Sequence, residues 1–286
     1  MVDVSYVVER KLAGRWIAGP TIDDAIALAK KANRKGIGVI VNYLGEDFKS
    51  MHDVADAVGT YIMLIDAIAA YKVNGAVSVK PTAFGLGLGK GLFESNFKEL
   101  ADYAKKKGIF IWVDMEGQET VEATIAVYTK LVKSGNVGIC IQAYLKRSME
   151  DAEKIVKAGG IIRLVKGAYS SRRGSGIVGG RFEVSENYRQ IMKYLFEKAE
   201  RFTIGTHDRG LISDALLLSK RHKKKVTYAM LNGIDNRYLS SMAASGEATA
   251  LYVPFGTKWV GYSYRRLKEI GHARLILNSL FRSQQL

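Results

Sequence analysis

Eight short apolar runs, each rich in β-branched residues, recur along the chain from about residue 36 onward and constrain its fold more than any other feature. They span residues 37–44, 77–80, 109–114, 137–142, 161–166, 202–206, 226–231 and 248–253. A glycine or polar turn follows each run, and then a longer stretch with helical spacing of apolar residues, as at 97–107, 120–133 and 211–220. Alternating strands and helices imply parallel pairing through right-handed crossovers. Eight such units in roughly 250 residues predict an α/β fold of the (β/α)8 TIM-barrel type. The architectural alternative, an open doubly wound sheet, seldom needs eight regular repeats. Residues 1–35 precede the repeat, and Thr21 with Asp23 and Asp24, just after Pro20, marks a helix start that continues amphipathically over 25–35. The expectation is an N-terminal helical extension, 1–35, that plugs or flanks the barrel bottom, joined without a linker to one barrel domain, 36–286.

Composition narrows the class. No apolar run approaches the ~18 residues of a membrane-spanning helix, and the amino terminus lacks the basic start and apolar stretch of a signal peptide. The expected location is cytoplasmic, or peripheral on the cytoplasmic face of a membrane. The lone cysteine, Cys140, lies in an apolar run and reads as buried packing, and the four histidines show no ligand spacing, so no metal site is expected. The net charge of +15 gathers at residues 30–35, 105–107 and 220–225, each just before an expected strand and so at the bottom of the barrel. Cations there complement helix dipoles, and together they form a patch suited to anionic lipid. A nucleic-acid-binding barrel is the alternative for such a basic chain. Against it, no recognition motif is present and the basic clusters lack interleaved aromatics. Oligomeric state is not legible.

Barrels of this type carry their chemistry at the C-terminal ends of the strands. Those positions hold Glu46, Lys80, Asp114, Gln142, Arg163 with Lys166, Thr206 with His207, and Tyr252. Apolar strands do not bury so many polar groups without a polar occupant, and the inventory suits a large anionic ligand. After the eighth strand, Tyr262 lies three and four residues before Arg265 and Arg266, so the three share a helix face. Paired guanidinium groups suit a carboxylate clamp, with Glu46 available as counter-ion. The run Gly85-Leu-Gly-Leu-Gly-Lys-Gly91 fits neither dinucleotide nor Walker spacing and reads as a flexible βα loop.

Two segments, Ile161-Ile-Arg-Leu-Val-Lys-Gly-Ala-Tyr169 and Tyr252-Val-Pro-Phe-Gly256 followed by Tyr262-Ser-Tyr-Arg-Arg-Leu267, resemble the proline dehydrogenase family. Leu44-Gly-Glu46, Val79-Lys80, Val113-Asp114, Ile141-Gln-Ala-Tyr144, Gly205-Thr-His-Asp208 and Met230-Leu231 follow in the family's order, so the likeness spans residues 37 to about 270. The resemblance implies a non-covalent FAD at the barrel mouth, oxidation of L-proline to Δ1-pyrroline-5-carboxylate by hydride transfer, and a quinone as electron acceptor. It implies Arg163 near flavin N5, Gln142 at the pyrimidine edge and the Met115 backbone against the cofactor. Lys166, Gly167 and Ala168 would line the ribityl and phosphate region, and Thr206 with His207 the diphosphate. Arg265 and Arg266 would hold the proline carboxylate, Lys80 and Asp114 would complete the pocket, and Tyr252, Tyr262 and Leu231 would pack around the ring. Asp114 and Lys80 are the candidates for the base that deprotonates the amine.

The chain departs from the family's usual pattern at Asn42-Tyr43-Leu44 and at Gly205, and in the glycine-rich run 174–180, which reads as a mobile lid. A dehydrogenase of a modified proline such as 4-hydroxyproline is the second enzymatic reading, disfavoured because the Tyr252 phenol would crowd a ring hydroxyl.

Overall fold

The computed structural model describes residues 15–167 and 176–263. Ala168, Arg265 and Arg266, with residues 174 and 175 of the run 174–180, lie outside the described residues. Eight parallel strands close into one barrel in chain order: β1 (Gly38–Tyr43), β2 (Gly75–Val79), β3 (Phe110–Val113), β4 (Val137–Gln142), β5 (Ile162–Val165), β6 (Phe202–Gly205), β7 (Thr227–Leu231) and β8 (Ala248–Phe255). β1 pairs with β8 to close the ring, Ile40 opposite Tyr252. The fold is therefore the (β/α)8 barrel that the eightfold alternation implies, and the strands sit within a residue or two of the apolar runs.

Strand alternation sorts the side chains into two layers. Val39, Val41, Val77, Ile111, Ile139, Leu164, Ile204, Leu251 and Val253 face outward into one continuous core shared with the helices. Ile40, Trp112, Ala229 and Ala250 face inward, with Tyr252 half-buried beside them.

The helices are α1 (Ile22–Asn33), α2 (Met51–Ala70), α3 (Lys90–Lys106), α4 (Val121–Leu131), α5 (Ser148–Lys157), α6 (Arg181–Lys198), α7 (Arg209–His222) and α8 (Asn236–Ala244). α3 begins seven residues before the stretch 97–107 expected from periodicity, because glycine and lysine at its start obscure the pattern. Of the run 85–91, residues 85–89 lie in the β2–α3 connection, wound into turns, and Lys90 and Gly91 begin α3; Leu86 N–H donates to Pro81 O at 3.0 Å and Gly89 N–H to Gly85 O at 3.0 Å.

Thr21 caps α1 in a reciprocal capping box with Asp24. The helix buries Ala25, Ile26, Ala29 and Ala32, and it packs on β1 and β8. It lies on the barrel wall between these two strands and does not cross the bottom. The reason is the short connection: β1 starts at the bottom of the barrel five residues after α1 ends, so α1 must run down the wall antiparallel to the strands. Its start is held at the opposite end, where Ala18 N–H donates to Pro254 O at 2.8 Å and Gly256 N–H to Gly19 O at 2.9 Å. Gly233 is needed there, since a Cβ on it would stand 2.0 Å from Arg15 O. Among the described residues, no helix is long and apolar enough to cross a membrane. The basic residues Lys30 and Lys31, Lys105 and Lys106, and Lys220 and Arg221 occupy the last turns of α1, α3 and α7, at the bottom of the barrel.

Candidate active site

A polar cluster fills the upper interior of the barrel. Arg163, 3% exposed, reaches across from β5 and ion-pairs through Nη2 with Asp114 Oδ1. The same Nη2 donates to Ser78 Oγ at 3.0 Å, and Nε donates to Cys140 Sγ at 2.9 Å. Ser78 Oγ donates to Asp114 Oδ1 at 2.7 Å, and Tyr252 OH donates to Asp114 Oδ2 at 2.7 Å. The guanidinium carbon lies 5.1 Å from the Trp112 ring centre and 5.3 Å from that of Tyr252, within cation–π range. Burial works against the charge on Arg163, but Cys140, Asp114 and Tyr252 more than offset it, so its pKa is raised. Burial, reinforced by Asp114, pushes the Tyr252 phenol well above its ordinary value. Burial likewise lifts the Cys140 thiol to about 12. The cluster thus holds one buried cation, one carboxylate and three neutral donors, Ser78, Tyr252 and Cys140.

A second group stands at the mouth. Lys80 Nζ and Glu46 Oε2 meet at 2.6 Å, both largely shielded. Leu44, Gly45, Glu46, Lys80, Lys258 and Tyr262 line a cavity of about 120 Å3 above them. Tyr262 is buried against Leu44 and Trp16, so the segment before α1 also reaches the mouth. Leu231 ends β7 opposite Tyr252.

The third group follows β4, β5 and β6. Gln142 Nε2 donates to Met115 O at 2.9 Å. Lys166 Nζ bonds Asp208 Oδ2 at 2.7 Å and Ser185 Oγ at 3.1 Å. Burial opposes charge on Asp208, yet the bond and charge of Lys166 together with the Leu211 and Gly210 N–H bonds outweigh it and lower the Asp208 pKa. Asp208 also caps α7 through Gly210 N–H and Leu211 N–H. Thr206 Oγ1 accepts from Asp208 N–H at 3.1 Å, and His207 Nε2 accepts from Leu231 N–H at 3.0 Å. Gly167 has φ 109°, and a Cβ on it would lie 2.1 Å from the Tyr144 ring, so only glycine fits.

Most of the residues singled out from sequence therefore converge on one end of the barrel. Arg163 and Tyr252 lie within their strands and not at their ends, pointing into the interior. Glu46 meets Lys80, while its expected partners, Arg265 and Arg266, are outside the described residues. Ser78, Trp112 and Cys140 belong to the site and were not singled out as such. A signal for all three was present: Ser78, Trp112 and Cys140 each precede a site residue by two positions and so share its strand face.

The proline dehydrogenase family model matches residues 25–275. Proline dehydrogenase 1 of Bacillus subtilis is 30% identical over 261 residues, covering 90% of this chain and 86% of the relative. Proline dehydrogenase of Deinococcus radiodurans is 30% identical over 267 residues, covering 90% and 86% respectively. Among solved structures, proline utilization A from Bdellovibrio bacteriovorus, inactivated by N-propargylglycine, superposes with a TM-score of 0.86 at 23% identity over 99% of this chain. The chain spans 35% of that longer protein, so the likeness bears on the fold.

Proposed function

The chain belongs to the proline dehydrogenase family and is an oxidoreductase acting on proline; on that premise we propose that it oxidises L-proline to Δ1-pyrroline-5-carboxylate with FAD at the barrel mouth and a quinone-type electron acceptor. The observation that carries this reading is the buried Arg163 cluster, in which Arg163 Nη1 and the nearby Gln142 Oε1 have no hydrogen-bond partner among the described residues. One is a donor and the other an acceptor, and the polar edge of a flavin ring offers both complements. The residues present therefore fit the group. Arg163, Gln142 and the Met115 backbone would hold the ring. Gly167, Ala168, Lys166, Thr206 and His207 would hold the ribityl chain and diphosphate, with Lys166 and the α7 N-terminus beside them.

FAD bound there supplies a two-electron acceptor for the hydride leaving the proline ring carbon. The chain's own contribution is positioning and electrostatics. Arg163 presents a permanent positive charge in a dry interior, where it stabilises negative charge developing nearby. Asp114 accepts from Arg163, Ser78 and Tyr252, so its oxygens are engaged and its role is to hold Arg163 in place. Lys80, Glu46, Tyr252, Tyr262 and Leu231 would enclose the substrate, and Arg265 with Arg266 would hold its carboxylate.

Turnover of L-proline by the FAD-loaded protein with a soluble quinone, with the product trapped by o-aminobenzaldehyde, tests this reading. The coloured pyrroline adduct is expected, and its absence contradicts the proposal. Family membership displaces the nucleic-acid reading of the basic clusters. Their place at the bottom of the barrel, away from the site, supports peripheral contact with an anionic membrane. Flotation with anionic vesicles at low salt is the check, and recovery of the protein only in the unbound fraction contradicts that contact.

A further inference from the structure

Glu116 is a buried carboxyl that the mechanism above leaves unused. It is the third residue after β3 and only 3% exposed. Thr82 N–H donates to Glu116 Oε2 at 2.8 Å, and Thr82 Oγ1 donates to Oε1 at 2.8 Å. The Thr82 hydroxyl oxygen in turn accepts from Asp47 N–H at 2.9 Å. Asp47 has φ 56°, a left-handed conformation uncommon outside glycine and best tolerated by residues such as aspartate. Asp47 adjoins Glu46, and Thr82 lies two residues beyond Lys80. One carboxyl therefore ties together the segments that follow β1, β2 and β3 and carry the Lys80–Glu46 pair. Met115, next to Glu116, is fixed from the other side by Gln142.

We propose that Glu116 is a positioning residue which, as a carboxylate, clasps Thr82 and so sets the placement of the Lys80–Glu46 pair that meets the substrate. The proposal rests on the reading of the mouth as the proline site. Its physical basis is the hydrogen-bond count. An ionised carboxyl accepts from both Thr82 donors at once through charge-assisted bonds, whereas the neutral acid keeps the hydroxyl contact only by reversing it, donating to a Thr82 oxygen that already accepts from Asp47 N–H. Charge on Glu116 thus sets the strength of the clasp. Burial raises the Glu116 pKa to about 7, against the pull of Lys80 and of the two Thr82 bonds, while Glu46 adds to the rise. Lys80 and Glu46 are the charged groups that face it, so the clasp tightens as pH rises through neutrality.

The test compares wild type, Glu116→Gln, Thr82→Val and Thr82→Ser as FAD-loaded proteins. Glu116→Gln and Thr82→Val are expected to raise KM for L-proline about tenfold, the worth of a hydrogen bond to a charged group, while kcat changes little. Thr82→Ser keeps both donors and should retain the wild-type KM. The wild-type profile of kcat/KM should rise through an inflection near pH 7 that Glu116→Gln lacks. Infrared titration of the protein without substrate should show a protonated-carboxyl band that disappears near the same pH and is missing from Glu116→Gln. An unchanged KM and pH profile in both Glu116→Gln and Thr82→Val, or a carboxyl ionised well below neutrality, overturns the proposal. Failure of the wild type to oxidise proline overturns the functional reading instead, so the two failures are distinct.

Discussion

Tyr252 and Asp114 stand 138 residues apart in the chain and meet inside the barrel through a 2.7 Å hydrogen bond from the phenol to Oδ2. The bond joins β8 to the end of β3 and completes the set of donors on a carboxylate that also holds Arg163. Because burial and Asp114 raise the phenol's pKa further above its ordinary value, Tyr252 remains a donor through the neutral range. Tyr252→Phe removes this one bond while keeping the ring over Arg163. A fall of about tenfold in kcat/KM for proline is expected, the size of one buried bond to a charged group, together with a loss of about 1.5–3 kcal/mol of folding stability from the same bond. Steady-state kinetics and urea unfolding check the two halves. The same phenol should disfavour 4-hydroxyproline, so wild-type turnover of that substrate should be slower than of proline.

Asp114→Ala leaves the Arg163 guanidinium buried without its carboxylate. Breaking a buried ion pair from one side costs about 3–5 kcal/mol, far more than the loss of a surface pair. A shift of that size in chemical denaturation is expected, together with near-complete loss of proline oxidation. A variant of wild-type stability would show that the pair is not buried in solution.

Cys140 offers a chemical probe of the interior. With its thiol lifted to about 12 and its side chain buried, almost no thiolate exists at pH 8, and alkylation requires the thiolate. Iodoacetamide should therefore label the chain only after denaturation. Rapid labelling of the folded protein, read by mass spectrometry, would contradict the packing around Arg163.

Glu116 also links stability to pH. Its folded value, about 7, lies above the ordinary 4.5. Between these values the folded chain holds a proton that the unfolded chain has released, so stability falls as pH rises through that window. At 1.36 kcal/mol per unit, the loss is roughly 3 kcal/mol, an order-of-magnitude figure. Denaturation across this window should show the decline in wild type, and Glu116→Gln should show a slope flatter by this amount.

The barrel was legible because its signal is repetition, and eight β-branched runs leave few alternatives. Lys80, Asp114, Gln142, Lys166 and Thr206 were legible because polar groups at the ends of apolar strands have few structural uses. Cys140 read correctly as buried, yet its contact with Arg163 depends on which side chains of β4 and β5 face inward at the same height, a matter of register between strands. Glu116 was hidden for a different reason. Its partner Thr82 lies 34 residues away, and nothing in local spacing distinguishes a clasped carboxyl from a solvated one. The path of α1 down the barrel wall followed from the shortness of the turn into β1, a geometric constraint and not a compositional one.

The central claim, that the Arg163 cluster and the mouth above it hold a flavin that oxidises proline, is tested most directly by one spectrum. The purified protein is loaded with FAD, freed of excess, and recorded before and after anaerobic addition of L-proline. Retained visible flavin bands that bleach with proline, and fail to bleach in Asp114→Ala, are the predicted result. A protein that retains no flavin, or whose bands are unmoved by proline, would contradict it.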